Sequence, residues 1–238
     1  MDEIYSGLNR LIQEQKMDQV EEYLTSCMEK AQAEEAHGVY IAAGNELLTF
    51  YRETQQYEKS FSLAETLLLL MEEFQLDGTL HFALLLINAA SSYADAGRLN
   101  EGLSFYAKAV QILRGLSGQE DQSLLLAEAL VRQALLYNAL QDFSNGEKLL
   151  KEALAIYEAS GQENSDEEER QRRNVFYLTA LTGLGEICCR QGNRKEALRF
   201  YERAARESDR FNPSGEGSAL LWNNCRLLSR EIGEAEGT

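Results

Sequence analysis

The chain has 238 residues and carries 23 basic against 39 acidic side chains, a formal net charge of −16. That length is too great for a disulfide-stapled miniprotein, and so acidic a surface repels phosphate backbones and anionic lipid, which excludes nucleic acid and membrane surfaces as expected partners. At 44% hydrophobic and 26% charged, the composition is that of globular rather than disordered material.

The residue types favour helix throughout. Leucine outnumbers valine 37 to 5, and Pro213 is the single proline. The longest apolar runs, Leu67 to Met71 and Phe82 to Ile87, fall far short of the ~20 residues of a membrane span. The opening MDEIYSGLNR places two acids ahead of any apolar run, opposite to a secretory leader, so the cytoplasm is the expected location. Cys27, Cys188, Cys189 and Cys225 form no CxxC and are expected as reduced thiols.

Self-similarity organises the elements. A first helical hairpin is expected over 1–36, with Leu11 late in its leading helix. A second, over 37–77, has Tyr51 before the polar break YRETQQY. The third, over 78–118, has Tyr93 in YADAGRL, and the fourth, over 119–162, has Tyr137 in YNALQDF. The fifth, over 163–212, is anchored at Cys188. A last unpaired helix over 216–232, following Pro213 and Gly215 and containing Ser229, is expected to cover the final apolar edge, with Trp222 packed on the fifth hairpin. These anchors are 40, 42, 44, 51 and 41 residues apart.

Other columns keep step with the anchors. Three residues earlier stand Leu8, Leu48, Ala90, Ala134 and Gly185; nine later stand Val20, Ser60, Gly102, Gly146 and Ala197. Mostly small, these let two helices approach closely. Leu24, Ala64, Tyr106, Leu150 and Tyr201, thirteen after the anchors, fill the space between them, and Cys27, Leu67, Ala109, Ala153 and Ala204 follow at sixteen. Gly97, Gly192 and the stretch Asp142 to Asn145 break the hairpins, and Leu76 to Gly78, Leu116 to Gln119 and Gly161 to Asn164 link them. A lone hairpin cannot bury its apolar face, so neighbours must stack: the expected fold is an all-α, right-handed superhelical solenoid, one domain over 1–238.

These residues resemble the tetratricopeptide repeat (TPR) family. The match is clearest in LGEICCRQGNRKEALRFYERA (Leu184 to Ala204) and INAASSYADAGRLNEGLSFYAKAV, weaker in the second hairpin and poorest in the first. Where the family has a helix-ending proline, Glu72, Arg114, Glu158 and Asp209 stand instead, so the second helices run longer. The period of roughly 42 residues is similar to the kinesin light chain type. The resemblance implies a protein-binding scaffold with no chemistry and no cofactor.

It also implies that the first helices line a concave groove. By the family's offsets, the groove-facing side chains are Asn45, Glu46, Thr49, Arg52 and Glu53 of the second hairpin, and Ile87, Asn88, Ser91 and Asp95 of the third. The fourth contributes Glu128, Val131, Arg132 and Asn138, and the fifth Thr182, Glu186, Cys189 and Arg190, with Asn223 and Asn224 on the last helix. Asparagines pair with the backbone of an extended peptide, and flanking charges select its register. Against the carboxylate clamp that some repeat proteins use, Asn88 and Arg132 match, whereas Asn45, Thr49 and Glu128 replace the clamp's other members. The expected guest is therefore a neutral or basic protein segment.

The 51-residue interval contains NSDEEERQRRN. Ser165 with Glu168 forms a capping-box pattern, and Asp166–Arg170, Glu168–Arg172 and Glu169–Arg173 are favourable i,i+4 pairs, so a long, solvated leading helix is expected there. No Gly-rich phosphate loop, HExxH or GxSxG occurs; His37 and His81 have no adjacent nucleophile or ligand cluster, so neither enzyme nor metal protein is expected. The alternative to a scaffold is a sensor similar to the peptide-responsive repeat regulators of bacteria, disfavoured because the repeat begins at the first residues and leaves no room for a leading helix-turn-helix. Self-association is not predicted, unless part of Leu67 to Met71 is exposed.

Overall fold

The computed structural model describes residues 2–116, 120–160, 167–211 and 216–236. Pro213, Gly215, Ser165, Asp166 and the link Gly161 to Asn164 lie outside the described residues, as does most of the link Leu116 to Gln119. The described residues are helical, with no strand among them. Contacts divide the chain into two compact units, Met1–Leu116 and Ser117–Thr238.

The first unit holds α1 (Asp2–Gln13), a single 3-10 turn (Met17–Gln19), α2 (Val20–Ala33), α3 (His37–Glu53), α4 (Tyr57–Glu73), α5 (Leu80–Asp95) and α6 (Leu99–Gly115). The second holds α7 (Glu120–Ala139), α8 (Phe143–Ala159), α9 (Glu167–Arg190), α10 (Arg194–Phe211) and α11 (Glu216–Glu236). Within each unit consecutive helices pack in pairs. The leading helices also meet, α3 on α5 and α7 on α9.

One backbone device makes every hairpin turn. The residue four after each anchor takes a left-handed conformation: Gln15, Gln55, Gly97, Gln141 and Gly192, with φ between 56° and 80°. The amide after it then donates to the anchor's own carbonyl. Lys16→Leu11, Gln56→Tyr51, Arg98→Tyr93, Asp142→Tyr137 and Asn193→Cys188 are all 2.7–2.9 Å. This is the six-to-one bond of a Schellman helix end, which satisfies an otherwise orphaned carbonyl and reverses the chain. The anchor column thus records turn geometry as well as packing.

Glutamine in that conformation carries a Cβ clash that glycine lacks. Gln141 is exposed, so its replacement disturbs no core contact. Gln141→Gly is expected to stabilise the second unit by about 0.5–1 kcal/mol, net of glycine's greater freedom when unfolded. Urea titration followed by the fluorescence of Trp222, the only tryptophan and a residue of this unit, measures it; a loss of stability would contradict the turn assignment.

The small and filling columns form the interior. Leu48, Ala90, Ala134 and Ala197 are 0% exposed, as are Leu24, Leu150, Ala109, Ala153 and Ala204. Ser60, in a column of small residues, keeps its hydroxyl buried by bonding Ser92 Oγ at 2.8 Å. The register shifts in α11. Ser229 is exposed, and the helix buries Ser218, Cys225 and Leu228 instead, so the last helix covers α10 with a different stripe from the one the anchors project.

Residues Glu167 to Arg173 do not simply extend into solvent. Arg173 is 9% exposed and donates from Nη2 to the Tyr157 carbonyl at 2.6 Å and from Nε to Ser160 Oγ at 3.3 Å. A guanidinium at the carbonyl end of α8 meets the negative end of that helix's dipole, which compensates its burial. Arg172 likewise pairs across to α7 rather than with Glu168. The two arginines therefore tie the start of α9 to the preceding hairpin.

Candidate functional site

Two rungs join α3 to α5 in the first unit. Asn88 Nδ2 donates to Asn45 Oδ1 at 2.9 Å, and Arg52 Nη1 lies 3.7 Å from Asp95 Oδ2. Each rung is seven residues from the other on both helices, two turns of helix, so both lie along one line between the two axes. Thr49, between them on α3, donates to the Asn45 carbonyl at 3.2 Å. The amide pair spends one donor and one acceptor on itself and leaves a donor on Asn45 and an acceptor on Asn88, the complement of a peptide group.

Charge on this face is mostly negative. Burial raises the Glu46 carboxyl above its ordinary value and the nearby Glu53 charge adds to the effect. The Tyr5 phenol of α1 is raised too, by burial first and then by the Glu46 charge. Arg52 is shared between Asp95 and Glu53, the latter at 3.6 Å. Two other expected groove residues lie in the interior. Ile87 is 4% exposed, and Ser91, equally buried, shares a 2.8 Å hydrogen bond with the Tyr106 hydroxyl.

In the second unit the corresponding contact, α7 on α9, is ionic. Glu128 is buried, and its Oε1 accepts from Arg132 Nε at 3.0 Å while Oε2 accepts from Arg172 Nη2 at 2.6 Å and Nε at 2.8 Å. The Arg132 guanidinium lies 4.8 Å from the centre of the Phe176 ring, a cation–π contact. A buried carboxylate held by two guanidiniums is satisfied, which is why it tolerates burial. A cavity of about 90 Å³ adjoins it, bounded by Leu124, Leu125, Tyr157 and Phe176. Burial pushes the Tyr157 hydroxyl far above the ordinary tyrosine range, with the Glu128 charge adding to it.

The remaining expected residues divide. Val131 is fully buried. The Asn138 amide is also turned inward: neither its nitrogen nor its oxygen reaches solvent or finds a partner, and it occupies the space beside Gly146. Thr182 donates to the Leu178 carbonyl of its own helix. Glu186 and Arg190 are exposed and pair at 3.6 Å, and Cys189, Asn223 and Asn224 are exposed. Arg172 and Phe176 are not among the expected groove residues, and the repeat does not point to the first: Arg172 stands 44 residues after Glu128, whereas the anchors of their hairpins, Tyr137 and Cys188, are 51 apart.

Trp222 is 37% exposed and docks through its polar edge, the indole nitrogen donating to Asp209 Oδ2 at 2.8 Å on α10. Ser218 donates to the other carboxylate oxygen, and the two bonds, Ser218's first, hold the Asp209 carboxyl below its ordinary value. Asp209 stands at a helix-ending proline position of the resembled family, so the residue that lets α10 continue also fastens α11. All four cysteines are free thiols, and among the described residues no three potential metal ligands gather. Of Leu67 to Met71, Leu67, Leu68 and Met71 are buried and Leu69 is exposed. No described helix is long and apolar enough to cross a membrane.

Solved structures share this arrangement. BtubC (BKLC) from P. vanneervenii is similar with a TM-score of 0.77 at 16% identity, over 90% of this chain and 82% of that one. A kinesin light chain protein of Podosopora anserina with nearly identical TPR-like repeats gives 0.69 at 16%, over 90% and 97%. The Rap protein complexed with Competence and Sporulation Factor gives 0.62 at 17%, over 98% of this chain and 65% of that one. At such identities the likeness establishes the fold, that of the TPR-like helical solenoids. No curated protein matches the chain by sequence. The model of the family described as "Uncharacterized protein conserved in bacteria (DUF2225)" matches residues 84–216, more than half of the chain, from within α5 to the start of α11, and the chain belongs to that family.

Proposed function

We propose that the protein is a non-catalytic interaction scaffold that holds a neutral or basic peptide segment of a partner protein against the exposed faces of its leading helices. The observation that carries the reading is the Asn45–Asn88 pair, half-buried between α3 and α5, whose single mutual bond leaves the Asn45 amide N–H groups and the Asn88 amide oxygen to pair with a guest. Asparagines so placed grip a peptide backbone without reading its side chains, and the flanking Glu46, Glu53 and Asp95 favour a cationic sequence. The first unit has 8 basic against 18 acidic residues, a charge of −10, which works the same way. Four unbridged thiols suit a reducing compartment, and we place its work in the cytoplasm.

The test is binding of short fluorescent peptides by anisotropy. Neutral and basic extended peptides are expected to bind and acidic ones to fail. Asn45→Ala with Asn88→Ala should weaken binding by about tenfold or more, the loss of one to two hydrogen bonds, while the melting temperature changes little. Arg132→Glu is a poor probe, because it would set a second carboxylate beside the buried Glu128. Undiminished binding by the folded double variant would refute the assignment.

The Rap protein's complex with Competence and Sporulation Factor favours a second reading, a sensor whose coil pitch changes when a peptide binds. Compaction in small-angle scattering on adding a bound peptide would support it, and an unchanged profile would support the rigid scaffold.

A further inference from the structure

The first unit has a second open surface, on the other side of α3. Tyr40, Leu47 and Tyr51 lie on one face of that helix, whereas Asn45, Thr49 and Arg52 project roughly opposite. The apolar face floors a groove whose walls are α2 and α4. The groove comprises two hollows of about 640 and 390 Å³ that share Gln32, Tyr40 and Thr66 and therefore adjoin. Met28 and Leu63 complete the floor, and Leu69, 67% exposed, stands at its wall. An exposed leucine beside a long apolar floor marks a surface that gains from being covered.

Charge identifies what covers it. Glu58 and Glu73 line the groove from α4 and Glu29 from α2, all exposed to solvent. The one lysine or arginine lining either hollow, Lys59, is already engaged: its Nζ lies 2.7 Å from Glu21 and 5.0 Å from the centre of the Tyr51 ring. His37, at the far end, stacks on Phe74 with ring centres 4.4 Å apart. Glu21 in turn accepts from the Tyr51 hydroxyl at 3.0 Å, so cation, carboxylate and phenol close on one another. The carboxylates at the rim are left to face an incoming chain. From Glu58 to Glu73 the wall runs about 22 Å, the length of a helix of about fifteen residues. A second copy of this chain would bring a net charge of −16 to an acidic rim and be repelled.

We propose that the groove between α2 and α4 receives a basic amphipathic helix of a partner protein, its apolar face on Tyr40, Leu63 and Leu69 and its lysines or arginines on Glu29, Glu58 and Glu73. This surface is distinct from the Asn45–Asn88 face and stands or falls separately. The probe is a labelled Leu/Lys amphipathic helical peptide of about fifteen residues, compared with the same peptide carrying Glu in place of Lys. The full chain is expected to bind the basic peptide at least about tenfold more tightly, with affinity falling as salt is raised.

Leu69→Gln, and separately Glu58→Lys with Glu73→Lys, should each weaken that binding by about fivefold or more without loss of helicity or melting temperature, because all three side chains are solvent-exposed. Asn45→Ala with Asn88→Ala should leave it unchanged, and hydrogen-exchange protection should fall on α2 and α4. Equal binding of the acidic peptide, indifference to both sets of substitutions, or protection confined to α3 and α5 would overturn the proposal. So would concentration-dependent dimerisation abolished by Leu69→Gln with no peptide bound, since the occupant would then be a second copy.

Discussion

Gly146→Ala is expected to cost about 2 kcal/mol, and Asn138→Ala in the same chain to restore most of it. A Cβ on Gly146 would fall on the Asn138 amide oxygen, with the amide carbon 3.2 Å away and the Ala134 carbonyl oxygen at 3.4 Å. The amide cannot easily yield, because it is packed between helices with neither polar atom reaching solvent. Removing it clears the two closest contacts, and the next, the Ala134 carbonyl oxygen, is at ordinary van der Waals distance. Asn138→Ala alone should be neutral or stabilising by up to about 1 kcal/mol, since it deletes two buried polar atoms that lack partners and improves helix propensity. Urea titrations of the four proteins, read by Trp222, give the coupling directly. A penalty for Gly146→Ala that is the same in both backgrounds would show that something other than this amide fills the site.

Gly185→Leu is expected to be the more damaging change, at about 3 kcal/mol. Its Cβ alone would sit 2.8 Å from Tyr201 Cε1, 2.9 Å from Cζ and 3.1 Å from Cδ1, three atoms of one rigid ring. Tyr201 is half-buried and burial raises its hydroxyl to about 12, so the ring is seated among protein rather than free to swing out. Relief must come from separating α9 and α10, which exposes the interior around Ala197 and Ala204. In thermal melts such a loss corresponds to roughly 6–12 °C. A melting temperature within a degree of the parent would mean that α9 and α10 do not meet at this glycine. Adding Tyr201→Ala should recover part of the loss and separates the steric cause from a change in helix propensity.

Much of the helical organisation is legible in the amino-acid sequence because repeat proteins write local rules many times over. The anchors Leu11, Tyr51, Tyr93, Tyr137 and Cys188 all end their helices with the same six-to-one bond, and the small residues near them all permit close helix contact. Ser229 departs from that pattern: it is exposed, and α11 buries another stripe, Ser218, Cys225 and Leu228. The candidate site is less legible. Asn45 with Asn88, and Arg52 with Asp95, are 43 residues apart, close to the 42 between their anchors, so the repeat period indicates which side chains meet across α3 and α5. Glu128 and Arg172 are 44 apart where their anchors are 51 apart, so that pair does not follow from the period. Ser91 and Asn138 show the limit. At either position a small rotation of the helix decides whether a polar group meets solvent or the interior, and the offsets of a repeat do not resolve so fine an angle.

The amino-acid sequence alone determined the helix pairs, their turns and the acidic character of the surface, because each depends on residues close in the chain or on a simple sum of charges. Tertiary structure alone decided that Arg172 and Arg173 bind the preceding hairpin, that Ser91 serves Tyr106, and that α2 and α4 leave a groove between them. The physical reason is distance. A turn or a helix is specified within a few residues, whereas a buried ion pair or an open groove depends on where a side chain some forty residues away comes to rest.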